Sequence, residues 1–318
     1  MRSRLILLLV YLFAFSLAFI VGTFNGYPVL LKSATSVGMA VIVLFMASLD
    51  FNNSSVFDPF WSVTPPLMVC YFWFLSFSMQ PAAIFHWSLV TENLNAFHRS
   101  GAWSGIDTMN IPRVTILLIL TLVYGTRLTW NFLRGWKGLK HEDWRYADMR
   151  KITGKGYWFV SLFGIHLFPA LMVFAGCLPV WVTVICGMHG PNFLDILAIL
   201  VTGNAILLEA LADRQLHRFL ANNAGNGKTM DQGLWSVCRH PNYLGEISFW
   251  WGLYLFALAA NPSFWWVIIG PLAITLMFIV ISIPMIEKRN VQRRSGYTLY
   301  QQRVPMLIPF LNFHHPDQ

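Results

Sequence analysis

The residues best suited to chemistry lie in one block, Gly233 to Glu246 (GLWSVCRHPNYLGE), directly ahead of an apolar stretch. Arg239, His240, Asn242 and Glu246 are costly to hold at a bilayer boundary unless something pairs with them. A helix beginning at Pro241, a residue suited to the first helical position, puts Asn242, Glu246 and Trp250 on one face at steps of four. Arg239 and His240 then precede the positive end of that helix, where a phosphate is well held. A boundary cluster of snorkelling side chains is the plainer alternative.

Three more clusters have the same character. Tyr124, Arg127, Asn131 and Arg134 recur at steps of three and four, which aligns them on one helix face. Arg127 lies too deep in its apolar stretch to snorkel, so it should face a protein interior and pair there. Tyr124 is deeper still, where a phenol can donate a proton or simply pack. Glu209, Asp213 and His217 fall at steps of four where another apolar stretch runs out. Two acids suit ribose hydroxyls or helix-end ion pairs; a divalent ion wants more ligands, so no metal site is expected. The fourth cluster, Glu287, Lys288, Arg289, Asn290, Arg293, Arg294, Tyr297 and Tyr300, extends the last apolar stretch with cations and phenols. A stop-transfer patch is the simpler account of it.

Composition dictates what must position these clusters. Of 318 residues, 56% are hydrophobic and 11% charged, against roughly 25% charged in a soluble domain. Such a chain cannot cover a water-facing surface. Membrane-spanning helices need about 20 mostly apolar residues, and spans are expected near 5–22, 28–49, 63–86, 112–133, 157–176, 192–212, 243–260 and 264–286. Residues 178–189 suggest a short interfacial piece. The fold class expected is therefore all-α, a polytopic transmembrane bundle of about seven to eight spans, forming one domain over 1–318 with 1–55 as extra N-terminal spans. The apolar run after MRSR lacks a small-residue cleavage site and is expected to stay as the first span.

Charge sets orientation. Segment 134–155 holds seven Lys/Arg, 213–241 holds Arg214, Arg218, Lys228 and Arg239, and the tail after 286 holds five, while 23–27, 177–191 and 261–263 hold none. Eight spans place both termini and all three basic segments in the cytosol. The loop 87–111, with Arg99 and Arg113 on the other side, fits this least. The net charge of +8 thus follows positive-inside bias, and without any nucleic-acid-binding motif the expected partners are membrane lipids and anionic small molecules. Either a monomer or a homo-oligomer is compatible. Cys70, Cys177, Cys186 and Cys238 show no CxxC, which argues against a disulfide framework or zinc site. Gly227-Lys228-Thr229 lacks the earlier glycine and strand of a phosphate loop, and no GxGxxG follows a strand. Asn52 and Asn53 head nominal glycosylation sequons but fall on the cytosolic side.

The block Gly233–Glu246, Glu287, and the terminal pattern Tyr300, Arg303-Val304-Pro305, Ile308-Pro309 resemble the C-terminal domain of the steroid 5α-reductase family. With GTRLTWNFLRGW (Gly125 to Trp136) and the helix around Glu209 and Asp213, the chain is most similar to its DUF1295 branch, over roughly 55–312. The Arg-His-Pro-Asn-Tyr core also occurs in sterol Δ14-reductases. A looser form occurs in isoprenylcysteine carboxyl methyltransferases, which bind S-adenosylmethionine. The resemblance implies a reductase-like bundle at 56–312 that binds NADPH at the cytosolic helix ends and reduces a conjugated C=C in a steroid- or lipid-like substrate. By position it assigns cofactor binding to Arg127, Asn131, Glu209, Asp213, Arg239, His240, Asn242, Tyr243, Glu246, Arg289 and Arg293. Tyr124 aligns with a tyrosine that polarises the substrate carbonyl; the acid paired with it in the steroid branch has no equivalent here, Asp58 being nearest and His86 more distant. The membrane implied is the endoplasmic reticulum in a eukaryote or the inner membrane in a bacterium. Three rivals stay open: an S-adenosylmethionine-dependent lipid or prenylcysteine methyltransferase, a non-catalytic sterol-binding protein, and a transporter.

Overall fold

The computed structural model describes residues 2–78, 110–223 and 226–309. His86, most of the loop 87–111 and His314 and His315 lie outside the described residues. The described chain is all helix, in order α1 (Arg2–Thr23), α2 (Val29–Asp50), α3 (Phe60–Ser78), α4 (Ile111–Gly135), α5 (Trp144–Thr153), α6 (157–176), α7 (Leu178–Ile185), α8 (Phe193–Asn222), α9 (Pro241–Ala260), α10 (Pro262–Arg293) and α11 (Tyr297–Arg303). Among the described residues seven helical segments are long and apolar enough to cross a membrane: α1, α2, Ser54–Phe77, α4, Trp144–Ile185, α8 and α10. This is the polytopic bundle expected from composition. The span expected at 243–260 forms α9, a 20-residue helix that is not among the seven.

The chain groups into two compact units, Met1–Asn192 with Phe256–Gly270, and Phe193–Leu255 with Pro271–Gln318. Within the first, α1 and α2 form a hairpin and α3 packs against α4. The second contact follows from a sequence detail. Pro66 has no N–H to donate to the Ser62 carbonyl one turn earlier, and a Cβ on Gly125 would sit 2.5 Å from that oxygen. Glycine is what lets the α4 backbone cover it. The Ser62 and Thr129 hydroxyls bond at 2.8 Å beside this crossing. Residues 178–185, expected at the interface, instead make a short helix whose residues from Pro179 to Ile185 are all buried.

The opposite end of the first unit is tied by Arg113, 2% exposed. It donates to Asn110 (2.7 Å) and to the carbonyls of His189 (2.7 Å), Gly190 (2.9 Å) and Ala259 (3.3 Å). The awkward basic residue of the charge pattern is therefore a buried clamp on backbone carbonyls, including one at the C-terminal end of α9, where a cation is favoured.

Candidate functional site

In the second unit the block before α9 is stitched on two sides. Gly233 (φ +61°) leaves no room for a Cβ, which would lie 2.6 Å from Gln215 Oε1; that oxygen accepts the Leu234 N–H at 2.9 Å. Trp235 Nε1 donates to Ala212 O on α8 at 3.1 Å, and Tyr300 of α11 donates to Trp235 O. Arg239 N–H reaches Pro305 O at 2.9 Å. Cys238 is buried against Leu307 O (2.9 Å), and burial pushes its thiol up to about 11.

Glu287 is the hub. It accepts from Arg239 Nε at 2.7 Å, His240 Nε2 at 2.8 Å and Gln301 Nε2 at 2.8 Å. Arg239 Nη1 also donates to the carbonyls of Gln301 (2.8 Å) and Val304 (2.7 Å). Arg239 and His240, expected at an anion, thus spend their bonds fastening the chain around 301–305 to the start of α9. The His240 ring stacks near-parallel on Tyr243 (5.5 Å, 9°), which in turn meets Phe278 at 4.9 Å.

Below this clamp, small residues bring α8 and α9 into backbone contact. A Cβ on Gly245 would lie 2.7 Å from Glu209 Cβ and 2.8 Å from Ala205 O; one on Gly252 would lie 2.1 Å from Thr202 Oγ1. Close approach through small residues is how membrane helices associate. Glu209 and Glu246 are each 5% exposed and flank this seam, Glu246 accepting from Trp250 Nε1 at 3.0 Å. Asn242 and Asp213 are partly buried, and His217 Nδ1 lies 2.9 Å from Asp213 O. Arg289 is partly buried and Arg293 exposed.

In the first unit Tyr124 is fully buried, on the α4 face that also carries Arg113, Leu117 and Thr121. Arg127 is partly buried at the edge of a shallow 450 Å³ hollow with Val123 and Trp130, and Asn131 is partly buried a turn later. Asp58 accepts from the Tyr146 hydroxyl and has Arg145 at 3.6 Å; a separate hydrogen-bonded chain in the same unit joins residues that are scattered in the sequence. Glu142 Oε1 takes Tyr157 OH (3.0 Å), which meets Ser54 Oγ (2.7 Å), then Ser161 Oγ (2.9 Å), then His166 Nδ1 (3.4 Å), whose Nε2 meets Ser48 Oγ (3.0 Å). Arg150 pairs with Glu142 at 3.1 Å and lies over the Tyr157 ring at 3.8 Å. A π-helical turn, Ser161–Leu167, places His166 in the chain, and no periodicity of 3.6 would have found it. Asn53, buried, gives its amide to Leu139 O (2.7 Å) and His141 O (3.2 Å), so it is committed to the fold. Among the described residues no group of three His, Cys, Asp or Glu could hold a metal.

Comparison with known proteins places these residues in a family. Residues 94–304 match the DUF1295 family, described as proteins of unknown function. An uncharacterized protein of Schizosaccharomyces pombe is 28% identical over 229 residues, covering 64% of this chain and 66% of the relative. No solved structure matches the chain. The matched region takes in α4 through α11, with the Gly233–Glu246 block and the α8–α9 seam, and the chain belongs to the DUF1295 family.

Proposed function

We propose that this protein is a membrane-embedded, NADPH-dependent reductase of a conjugated carbon–carbon double bond in a steroid- or lipid-like substrate. The observation that carries this reading is that two carboxylates, Glu209 of α8 and Glu246 of α9, are both buried at the seam closed by Gly245, beside a clamp built from the Arg-His-Pro-Asn-Tyr block. DUF1295 belongs broadly with the steroid 5α-reductase-like proteins, and these are the positions where that resemblance puts the cofactor.

The donor set suits a phosphorylated dinucleotide. Glu209 and Glu246 are acceptors for ribose hydroxyls, Asn242 offers both a donor and an acceptor, and Arg289 and Arg293, a turn apart on α10, offer cations to phosphates. Arg239 and His240 act one step removed, by holding the start of α9. When bound, the reduced nicotinamide would supply a hydride to the β-carbon of the enone, and the enolate so formed would take its α-carbon proton from water. By the same resemblance, Tyr124 donates a hydrogen bond to the carbonyl oxygen as negative charge builds there. An apolar substrate enters from the bilayer.

Thermal unfolding of detergent-solubilised protein with NADPH, NADH or S-adenosylmethionine tests the reading. A ligand at 100 times its dissociation constant stabilises by about 2.7 kcal/mol, so NADPH should raise the midpoint, less so in Glu209→Gln and Glu246→Gln. A shift from S-adenosylmethionine alone would transfer the site to methyl transfer; no shift from any of the three would end the enzymatic reading.

A further inference from the structure

A second site lies away from these residues, in the first unit, where α1 stands off from α3 and α4. The gap is a 720 Å³ groove running along α1 from Arg4 to Ile20, with Val63 of α3 and Leu133 of α4 on its far wall. That volume falls in the range of about 300–1,000 Å³ usual for small-molecule sites. The seventeen residues from Arg4 to Ile20 span about 24 Å of helix, enough for a long acyl tail. Two of the polar groups along it are committed within the protein: Tyr11 donates to Val56 O at 3.0 Å, and Thr129 bonds Ser62 at 2.8 Å. Phe15, stacked on Phe60 at 6.1 Å, forms the floor.

One end of the groove is strongly basic. Arg4 Nη2 donates to Leu133 O at 2.8 Å, which leaves most of the guanidinium's five donors for another acceptor. Gly138 lies against Ser3, so the start of α1 meets the segment that carries Arg134, Lys137 and Lys140. No acid occurs in residues 1–49 or 127–141. Asp58, next to groove-lining Pro59, is engaged by Tyr146 and Arg145, and Glu142 and Asp143, which follow in the chain, are engaged by Arg150 and Arg145. A dry channel ending in uncompensated cations is complementary to one kind of molecule present in every membrane.

We propose that this groove binds an anionic phospholipid, with an acyl tail along α1 and the phosphate at Arg4 and Arg134. The site is independent of the reductase reading. Lipid extracted from protein purified in mild detergent, compared with the source membrane by mass spectrometry, tests it. Anionic phospholipid should be enriched over zwitterionic, and the enrichment should fall about five-fold for each charge removed in Arg4→Gln and Arg134→Gln, with Arg4→Lys close to wild type. Leu8→Trp, which fills the channel, should lower bound lipid of every class. Wild-type lipid matching bulk composition, or a sterol or zwitterionic lipid retained in its place, overturns the proposal without recourse to any variant. Enrichment that survives both the charge and the filling substitutions, in protein that keeps its helicity, overturns it equally.

Discussion

Glu287 receives three side-chain donors, one of them the guanidinium that also holds two carbonyls near the end of the chain. Its carboxylate is largely buried, 13% exposed, and so is its Arg239 partner at 12%. Removing one member of a buried charged pair strands the other, at a cost of about 3–5 kcal/mol. Glu287→Ala should lower the unfolding midpoint sharply and free the segment around 301–305 to proteolysis. Glu287→Gln keeps an acceptor and should cost less. Equal midpoints for Glu287→Ala and wild type would show that the clamp contributes nothing. Tyr124→Phe separates chemistry from architecture: turnover should drop about 10²–10³-fold, as when one oxyanion donor is lost, with the NADPH-induced thermal shift intact. Arg239 and His240 were legible as residues needing partners, yet the partner was not, because it sits 48 positions away on another helix and same-face spacing compares only residues of one helix. The Glu142-to-His166 chain was hidden for the same reason, being drawn from Ser48 of α2, Ser54 in the short turn before α3, the loop leading into α5, and α6.

At the scale of elements, the decisive contacts are made by residues with no side chain. Gly252 faces Thr202, where an added Cβ would lie 2.1 Å from Oγ1 and 3.1 Å from the backbone Cα; Gly203, next along α8, meets nothing within 4 Å. The two glycines should therefore respond to alanine with opposite signs. Gly252→Ala overpacks the α8–α9 seam and should destabilise by about 1–3 kcal/mol, whereas Gly203→Ala should stabilise by about 0.4–1 kcal/mol through reduced freedom of the unfolded chain. Matching changes in the two variants, measured by unfolding in one detergent, would contradict the seam. Helix positions themselves were readable from hydropathy: α1, α2, α4 and α8 begin within a few residues of the expected spans. What hydropathy misplaced was depth. Residues 178–185 have the composition of an interfacial piece and the burial of a core helix, since an apolar run does not reveal whether lipid or protein covers it.

For the whole molecule the open quantity is the number of crossings, and it turns on α9. Hydropathy leaves this helix outside the seven candidate spans, although its 20 residues reach about 30 Å, the thickness of the hydrocarbon core. The partners at its ends favour crossing. Arg239 and His240, at its start, are bound to α10 and to the carbonyls of Gln301 and Val304. Its last carbonyls, Ala259 and Ala260, are held by Arg113, Asn192 and the N–H groups of Met188 and His189. Asn242 and Glu246 depress the hydropathy only within the turns nearest the start, where boundary polarity costs least. If α9 crosses, eight spans among the described residues put the basic segments together, as positive-inside bias requires. Single cysteines at exposed Lys137, Lys228 and Thr298 should then react with a membrane-impermeant maleimide from one side and Met188→Cys from the other. Cys70 is exposed and is replaced by serine in the labelling background; Cys177, Cys186 and Cys238 are buried and the Cys238 thiol, near 11, is almost wholly protonated at neutral pH. Labelling of Lys228→Cys and Thr298→Cys from opposite sides would leave α9 lying within one leaflet and the crossings among the described residues at seven.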